Sequence, residues 1–365
     1  MTDEINKFFH SVSAHLEPLD QSSAPRVQDI PDCYTITQHD VERRLMSTKV
    51  SKAPGPDGIP NWIFRDLAGL ISGLLTSIFN MSVREGYLPL DWKSANVTPI
   101  PKTNPSRSIQ SDIRPISLTP VIGKHIESIV GNWVLESITT KLDPHQYGAL
   151  KGLSTTHALL DMLTHWHIAI HTRQSARILL LDYSKAFDLV DHNTLIKKFL
   201  NLGVPVVLVS WVHGFLSNRR QRVKLGKDVS DWLSLNGAMP QGSWLGPLCF
   251  IIYVSDMDLV PGIKTHKYID DTTFSETILT ASESKLQTLV SHWSESNHMR
   301  VNSNKTKEML LHVRKTSLNP TPITIAGCEI ERVKHLKLLG VWLSDDLTWD
   351  YHINKLLHKV SSRIY

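Results

Sequence analysis

Apolar residues recur at helical spacing through the first quarter of the chain. A short amphipathic start and the stretch from Gln38 to Thr48 both show it, and a third run follows the turn-rich segment Ala53–Gly58. The apolar positions of the third run are Ile63, Leu67, Leu70, Leu74, Ile78 and Met81. This run predicts one long amphipathic helix that begins near Asn61 and buries these side chains.

The pattern then becomes extended. Residues 95–102 and 114–118 are each typical of a short strand, and together they predict a hairpin. A helix is expected to follow from about Val121. Lys102 and Arg114 would therefore lie beside this hairpin.

The apolar run 178–181 is followed by an acid, and residues 176–182 together have the pattern of a strand. This pattern predicts a buried strand that carries Asp182 at its C-terminal end. A helix should follow, either from Lys185 or, after Asp191, from Asn193. Residues that bind ligands often lie at such a strand end.

Residues 265–274 form two short extended arms around Asp270 and Asp271, which predicts a hairpin. The other predicted elements are helices over 245–256 and 282–295, strands over 306–312 and 338–344, and a final helix from His352. The order of elements is mixed and has no internal repeat. It predicts an α/β (α+β) fold.

Composition adds little to this picture. The chain has 365 residues, 41% hydrophobic and 20% charged, which predicts a folded globular protein of up to two or three lobes. A net charge of +4 permits contact with a polyanion, and three widely spaced cysteines suit a reducing compartment. The acidic start argues against a secretory signal, and no apolar run approaches the roughly 20 residues of a membrane span.

Two carboxylate sites stand at the tips of predicted strands, Asp182 at one and Asp270–Asp271 at the other. Adjacent strands would bring the three acids together, where they repel one another unless cations lie between them. Since Mg²⁺ prefers oxygen ligands, the pattern indicates a two-metal site for phosphoryl transfer. Taken alone, two acids in a turn are more often solvated turn residues. The Asp182 strand and the segment Met239–Phe250 favour the metal site.

Nine short segments stand in a fixed order along the chain. They are Ser51–Gly58, Ile100–Lys102, Ile113–Leu118, Gln146–Gly148, the Asp182 strand, Pro240–Gly242, Tyr268–Asp271, Asn302–Lys307 and Leu339–Val341. In this order they resemble the reverse transcriptase blocks of non-LTR retrotransposons, most of all the jockey and chicken-repeat branches. The resemblance runs from about Asn6 to Tyr365, and nine ordered matches make it highly specific.

The resemblance implies an RNA-directed DNA polymerase that uses two Mg²⁺ ions, with Mn²⁺ as the alternative. It implies that Asp182 and Asp270 ligate both ions and that Asp271 completes the acidic cluster. The carbonyl of Tyr183 would contact the ion that carries the nucleotide triphosphate. Lys305 would protonate the leaving pyrophosphate as a general acid.

The resemblance also implies residues that bind the incoming nucleotide. Lys102 and Arg114 correspond to residues that clamp the triphosphate, where Arg can hold two oxygens and Lys acts as a point charge. Phe187 corresponds to a steric gate that excludes a 2′-hydroxyl. Gln241 and Gly242 would lie against the nucleotide and the template base, since glycine permits close backbone approach. The ordinary alternatives are surface charge for the two cations and a core position for the phenylalanine.

Three positions depart from the family pattern. Ile269 stands where alanine is usual and would add bulk beside the primer. Trp244 stands where a smaller residue is usual and would either stack on the template or overfill a pocket. The segment Leu339–Trp342 resembles the hairpin that holds the primer end, although an aromatic residue is commoner before its glycine.

The sequence gives little support for a zinc site or for the motifs of other enzyme classes. His167 and His171 are spaced to share one helix face, as zinc ligands can be, but neither a carboxylate nor a cysteine is nearby. A packing or surface role is therefore expected for them. The chain contains no nucleotide P-loop, serine hydrolase elbow or His-Glu-x-x-His motif.

By resemblance, the chain should adopt a right-hand polymerase fold. The expected regions are an N-terminal leader (1–50), fingers with part of the palm (51–175), the palm (176–345) and the start of a truncated thumb (346–365). The implied partners are an RNA template, a DNA primer and dNTPs, with no membrane. The resemblance implies a nuclear location, with the cytoplasm as the alternative, and the sequence sets no oligomeric state.

Two further interpretations remain open at this stage. A catalytically inactive remnant of a transposon could still bind nucleic acid, and an expected truncation within the thumb would favour it. A group II intron-type maturase fits less well, because the matching blocks are closer to those of retrotransposons.

Overall fold

The computed structural model describes residues 1–102, 108–257, 260–278, 284–311 and 320–364. The chain divides into two compact units, and each is assembled from two separate stretches of sequence. Unit 1 comprises Met1–Leu142 and Phe187–Tyr253, and unit 2 comprises Asp143–Ala186 and Val254–Tyr365. Both units combine helices with β-sheet, which confirms the predicted mixed α/β composition.

The helices and strands are numbered in chain order. The helices are α1 Thr2–Ser13, α2 Gln38–Met46, α3 Asn61–Asp66, α4 Ala68–Glu85, α5 Leu90–Lys93, α6 Ile109–Asp112, α7 Val121–Ile138, α8 Thr155–His171, α9 His192–Asn201, α10 Val206–Leu216, α11 Leu245–Tyr253, α12 Lys285–Ser296 and α13 Asp350–Ile364. The strands are β1 Ser94–Pro101, β2 Ile113–Leu118, β3 Ser175–Leu181, β4 Arg220–Leu225, β5 Asp228–Val229, β6 Leu233–Ser234, β7 Ile263–Tyr268, β8 Asp271–Ile278, β9 Lys307–Leu311, β10 Thr324–Ile325, β11 Cys328–Glu329, β12 His335–Leu338 and β13 Val341–Ser344. Within the described ranges, no helix has the length and apolar character needed to span a membrane.

Unit 1 contains a sheet in the order β2-β1-β4-β5, and β6 also pairs with β4. β1 and β2 are antiparallel, whereas β1 and β4 run parallel. Ile5 of α1 packs with Val97 and Val223 to form a small core against this sheet. The structure thus confirms the hairpin predicted over 95–102 and 114–118, and α7 begins at Val121 as expected.

The long helix predicted from Asn61 differs from expectation in two ways. It is broken at Leu67 into α3 and α4, and its buried face is a different one. Leu70, Leu74 and Met81 are exposed. The buried residues of α4 are Ala68, Ser72, Leu75, Phe79, Ser82 and Val83. The prediction failed because this helix carries apolar residues on more than one face, so that helical spacing alone could not choose between them.

Unit 2 contains a four-stranded antiparallel sheet in the order β7-β8-β3-β9. Ile178 of β3 and Met309 of β9 are opposite each other, fully buried, and lie in one core cluster with Trp166 of α8. The buried strand before Asp182 and the hairpin around Asp270 are therefore confirmed. The helix that follows β3 is α9, which begins at His192, directly after Asp191. The side chain of Asp191 caps this helix by accepting hydrogen bonds from the N–H groups of its first turn.

The strand predicted over 338–344 is in fact a hairpin of β12 and β13. Leu339 and Gly340 both have positive φ, at 47° and 92°, which is the conformation of a tight two-residue hairpin turn. α12 begins at Lys285 and β9 ends at Leu311, close to the predicted bounds. The predicted helix start at Ser282 and strand end at His312 lie outside the described residues.

Candidate functional site

The two predicted carboxylate sites meet at one end of the unit 2 sheet. β3 and β8 are neighbours, and Leu181 pairs with Thr272. Asp182 directly follows β3, Asp271 is the first residue of β8, and Asp270 lies in the turn between β7 and β8. The expectation that adjacent strands would bring these acids together is therefore confirmed.

The turn that carries Asp270 is strained. Tyr268 pairs with Asp271, so Ile269 and Asp270 form a two-residue loop. Ile269 has a φ of 61°, a left-handed conformation that costs a residue with a Cβ about 1–2 kcal/mol and is least suited to a branched one. The sequence predicted added bulk at this position, and the structure adds a backbone consequence that the sequence did not indicate.

The segment after α12 holds the backbone of Asp182 from the side opposite the hairpin. The N–H of Asn302 donates to the Asp182 carbonyl at 2.8 Å, and the N–H of Asp182 donates to the Thr306 hydroxyl at 3.2 Å. The ammonium of Lys305 lies 3.7 Å from Oδ2 of Asp182, and its side chain is 67% exposed. This segment therefore fixes the first acid and places a cation beside it.

Two of the three acids have raised pKa values. Desolvation raises the pKa of Asp182, and the charge of Asp270 adds to this, while Lys305 and a hydrogen bond from Asn302 oppose it. Desolvation also raises the pKa of Asp271, together with the charges of Asp270 and Asp182. Carboxyl groups whose pKa is raised by burial and by neighbouring negative charge are stabilised in their charged forms by a nearby cation.

The donor chemistry of this cluster fits a divalent cation. Oδ2 of Asp182 is buried and accepts no hydrogen bond from the described residues, and the acids supply the hard oxygens that such ions prefer. Within the described part of the chain, no three Asp, Glu, His or Cys side chains converge closely enough to enclose an ion by themselves. An ion held here would therefore need further ligands, as Mg²⁺ ordinarily takes from water and substrate.

Tyr183 is held in a way that suits the role predicted for its carbonyl. The hydrogen bonds from Ser184 to Arg300 and from Asn302 to Asp182 flank Tyr183 and use neither its N–H nor its carbonyl. Its ring is buried, and its hydroxyl lies 3.2 Å from the hydroxyl of Ser294. The side chain thus belongs to the interior of unit 2, while the backbone lies at the end of β3.

In unit 1, the two predicted phosphate-binding cations lie at the same end of the β1–β2 hairpin. Arg114 is exposed and pairs with Ile100, two positions before Lys102. The N–H of Lys102 donates to the Asp112 carbonyl at 2.6 Å, so the pairing continues one step past β1. Side chains on one face of a strand alternate, and Lys102 and Arg114 are therefore diagonal neighbours on one face.

Phe187 and Gln241 are also placed within unit 1. Phe187 is half-buried, and its ring stacks on Phe250 of α11 with the ring centres 4.8 Å apart. Gln241 donates from its side-chain amide to Asp188 at 3.2 Å, and its carbonyl accepts from the N–H of Ser117 at 2.8 Å. The partial exposure of Phe187 is compatible with either a gate or a packing role.

Gly242 permits the close approach of another backbone segment of unit 1, the strand β2. It has a φ of 130°, and a Cβ there would lie 2.6 Å from the carbonyl oxygen of Ser117 on β2. The next part of this loop is held by Glu127, a buried residue of α7 whose carboxylate accepts from the N–H of Trp244 at 2.9 Å. The ring of Trp244 covers Gly131 and remains 40% exposed.

His167 and His171 are exposed on α8, as a surface role would require. Gln146 is the residue near the acids that sequence reasoning had not placed. It was noted only as part of a matching segment, yet its side chain contacts the turn between β7 and β8. No local pattern could have indicated this contact, since 123 positions separate the two partners.

Comparison with known proteins agrees with this chemistry. The sequence family described as Reverse transcriptase (RNA-dependent DNA polymerase) matches residues 100–343, more than half of the chain. The RNA-directed DNA polymerase from mobile element jockey of Drosophila melanogaster is 28% identical over 344 residues, which cover 90% of this chain and 37% of that protein. The probable RNA-directed DNA polymerase from transposon BS of the same organism is 24% identical over 371 residues, which cover 98% and 41%.

A shorter match extends to a third kind of element. The Retrovirus-related Pol polyprotein from type-2 retrotransposable element R2DM of Drosophila melanogaster is 32% identical over 179 residues, which cover 48% of this chain and 16% of that protein. The chain spans 37% of the jockey protein and 41% of the BS protein. With its acids at the ends of paired strands and this family match, the chain belongs to the reverse transcriptase (RNA-dependent DNA polymerase) family, with relatives among the non-LTR mobile elements.

Proposed function

We propose that this chain is an RNA-directed DNA polymerase that transfers a nucleotide from a dNTP to a primer 3′-hydroxyl on an RNA template. The observation that carries the proposal is the meeting of Asp182, Asp270 and Asp271 at the ends of β3 and β8. Reverse transcriptases as a family depend on divalent metal, and we propose Mg²⁺ as the ion, with Mn²⁺ as a substitute.

Asp182, Asp270 and Asp271 would hold two ions, and the carbonyl of Tyr183 would be a further oxygen ligand. When bound, such ions lower the pKa of the 3′-hydroxyl and neutralise charge on the leaving pyrophosphate. The backbone of Asp182 accepts a hydrogen bond from the N–H of Asn302 and donates one to the hydroxyl of Thr306, which keeps Asp182 in place for this task. We assign Lys305 as the proton donor to pyrophosphate, since its ammonium already lies beside Asp182.

Residues of unit 1 would bind the nucleotide. The pair of cations on the β1–β2 hairpin suits a triphosphate, to which Arg114 can donate two hydrogen bonds and Lys102 one charge. Phe187 would exclude the 2′-hydroxyl of a ribonucleotide. Gln241 and Gly242 would contact the nucleotide and the template base.

We further propose the right-hand arrangement for this chain, with fingers over 51–175, palm over 176–345 and the start of a thumb from 346. The hairpin of β12 and β13 would hold the primer end, as the resemblance of Leu339–Trp342 implies. An RNA template and a DNA primer are the proposed partners. Copying at chromosomal DNA would place the protein in the nucleus.

Primer extension on a poly(rA)/oligo(dT) template with Mg²⁺ tests the proposal. We expect the chain to extend the primer and Asp270→Asn to lower the rate by about 10³-fold or more, because a metal ligand is lost. Glu329→Gln is the matched control, since it removes one exposed charge from unit 2 at β11.

The alternative is a catalytically inactive chain that binds nucleic acid, and the same assay distinguishes the two. Folded wild-type protein that binds the template and primer but does not extend them would support that alternative. Equal loss of extension in Asp270→Asn and Glu329→Gln would refute the assigned role of Asp270, since only one of the two belongs to the cluster.

A further inference from the structure

The segment 145–147 pairs with the outer strand of the unit 2 sheet. The N–H of Lys267 donates to the carbonyl of His145 at 2.9 Å, and the N–H of Tyr147 donates to the carbonyl of Lys267 at 2.8 Å. Gln146 and Lys267 are thus bridged in parallel orientation beside β7. Because Lys267 stands two positions before Ile269, this pairing places the segment beside the strained turn.

The side chain of Gln146 contacts the turn itself. It is 1% exposed, and its Oε1 accepts hydrogen bonds from the N–H of Gly148 at 2.9 Å and from the N–H of Ile269 at 3.1 Å. Two converging N–H donors require that this end of the amide is the oxygen. A buried acceptor therefore holds a branched residue in a left-handed conformation that such a residue disfavours.

Gly148 also packs closely against the turn at Ile269. A Cβ at this position would lie 2.6 Å from both the backbone nitrogen and the side chain of Ile269, and 2.9 Å from the carbonyl carbon of Tyr268. Only a residue without a side chain lets the segment approach the turn so closely. Gln146 and Gly148 together enclose the Ile269 backbone.

The segment that carries Gln146 is itself firmly anchored. Asp143 and Lys267 form a buried ion pair at 2.9 Å, and the Asp143 carboxylate also accepts from the N–H of His145 at 2.8 Å. The hydroxyl of Tyr147 donates to Asp161 of α8 at 2.8 Å. These anchors on both sides of Gln146 leave its carboxamide little freedom to leave the turn.

We propose that Gln146 is a positioning residue which keeps Ile269 in its left-handed conformation and thereby sets Asp270 and Asp271 for cation binding. The inference rests on the proposed function, because it concerns the same acidic cluster. Gln146 touches neither metal nor substrate in this role. It acts through the backbone of the turn.

The decisive comparison is a double-mutant cycle between Gln146 and Ile269. Gln146→Met keeps the length of the side chain but removes the acceptor, so the turn should relax away from its present conformation. Ile269→Gly removes the strain, because glycine adopts positive φ readily. We expect Gln146→Met to weaken the cluster in the wild-type background and to have little effect when residue 269 is glycine.

Two measurements on the full chain report the effect without requiring catalysis. Amide hydrogen exchange in metal-free protein should be at least about threefold faster in peptides that contain residues 268–271 of Gln146→Met, since the Ile269 amide has lost its acceptor. Mn²⁺ binding, followed by electron paramagnetic resonance, should weaken about 10-fold, as is usual when a group supporting a ligand is removed. The loss of Mn²⁺ affinity should shrink to less than half on the logarithmic scale in the Ile269→Gly background, whereas the faster exchange should persist there, because the N–H of residue 269 loses the same acceptor.

Ser275→Ala is the matched control. It removes a buried hydrogen bond, the one that Ser275 accepts from Trp166 at 2.8 Å. Ser275 lies on β8, as Asp271 does, but four residues further along the strand. We expect it to lower the melting temperature without changing Mn²⁺ affinity. If Gln146→Met does not fold, Gly148→Ala tests the same contact and should weaken Mn²⁺ binding to a similar degree.

The outcomes separate this inference from the proposed function. Unchanged exchange and Mn²⁺ affinity in Gln146→Met, or equal losses in Ser275→Ala, would overturn the positioning role even if wild-type protein extends primers. Equal losses of Mn²⁺ affinity with isoleucine and with glycine at 269 would also overturn it. The expected exchange and binding changes would support the role even if no variant, including wild type, extended a primer.

Discussion

Asp182 and Asp271 are held where their own charges are disfavoured. Both pKa values lie above the ordinary 3.8, and desolvation is the first cause in each case. Such a carboxyl binds protons more readily in the folded chain than in the unfolded chain. The stability that it contributes to the metal-free protein is therefore lost as pH rises from 3.8 through the raised pKa.

Removal of one of these charges should consequently stabilise the metal-free protein. We expect Asp271→Asn to raise the melting temperature at pH 7 in the presence of a chelator, and the gain should disappear as the pH falls below 3.8. Differential scanning calorimetry across this range measures the difference from wild type. Glu329→Gln, which removes an exposed charge on β11, should leave the melting temperature unchanged at every pH.

Divalent metal should reverse the order of stabilities. At a free Mn²⁺ concentration 100 times its Kd, the wild-type protein should gain about 2.7 kcal/mol. Asp271→Asn should gain less because its cluster has lost a carboxylate. A variant less stable than wild type without metal would contradict the view that desolvation and mutual repulsion dominate at these acids.

At the scale of elements, each outer strand of the unit 2 sheet is bridged at one residue by an irregular segment. Residues 145–147 pair with β7, and residues 331–333 pair with β9 through Glu308. A bridge at an edge residue occupies backbone groups that could otherwise pair with another chain. The same two segments support the site, the first through the turn at Ile269 and the second through the strand that follows Lys305.

The attachment of β9 depends on a buried ion-pair network. The carboxylate of Glu308, fully buried, lies 3.1 Å from Arg177 of β3 and 3.1 Å from Arg332. Glu308→Ala would leave Arg177 buried without its partner, and we expect a loss of about 3–5 kcal/mol in the free energy of unfolding. Urea denaturation of the full chain measures this loss.

Glu331→Ala provides the comparison for that change. Glu331 pairs with Lys307 at 2.6 Å, but its side chain is 66% exposed, so its removal should cost only about 0–1 kcal/mol. Similar losses for the two variants would mean that burial does not set the strength of these pairs.

The elements that sequence predicted well are those whose apolar pattern permits one interpretation. The apolar run 178–181 within β3 indicates a buried strand, and the acids between two extended arms indicate a hairpin. α4 is apolar on several sides, so the choice of its buried face depended on partners that the sequence did not reveal. The role of Gln146 depends on a contact across 123 positions, which no local pattern contains.

At the scale of the whole molecule, charge limits how the chain can bind nucleic acid. The net charge is only +4, and the acidic cluster repels phosphate unless cations are bound there. Binding of a template and primer must therefore rely on local groups of Lys and Arg and on the bound cations.

This balance predicts how binding should respond to salt and to divalent metal. If about six phosphates are contacted, the Kd for an RNA–DNA hybrid should rise about 10³-fold between 50 and 200 mM salt. At fixed salt, Mg²⁺ in place of a chelator should tighten binding to wild type more than to Asp182→Asn, because the variant cluster holds cations poorly. Fluorescence anisotropy with a labelled hybrid measures both effects, and circular dichroism at each salt concentration verifies that the protein stays folded. An equal Mg²⁺ effect in the two proteins would show that the ions act on the nucleic acid alone and that the acidic cluster takes no part in holding the primer.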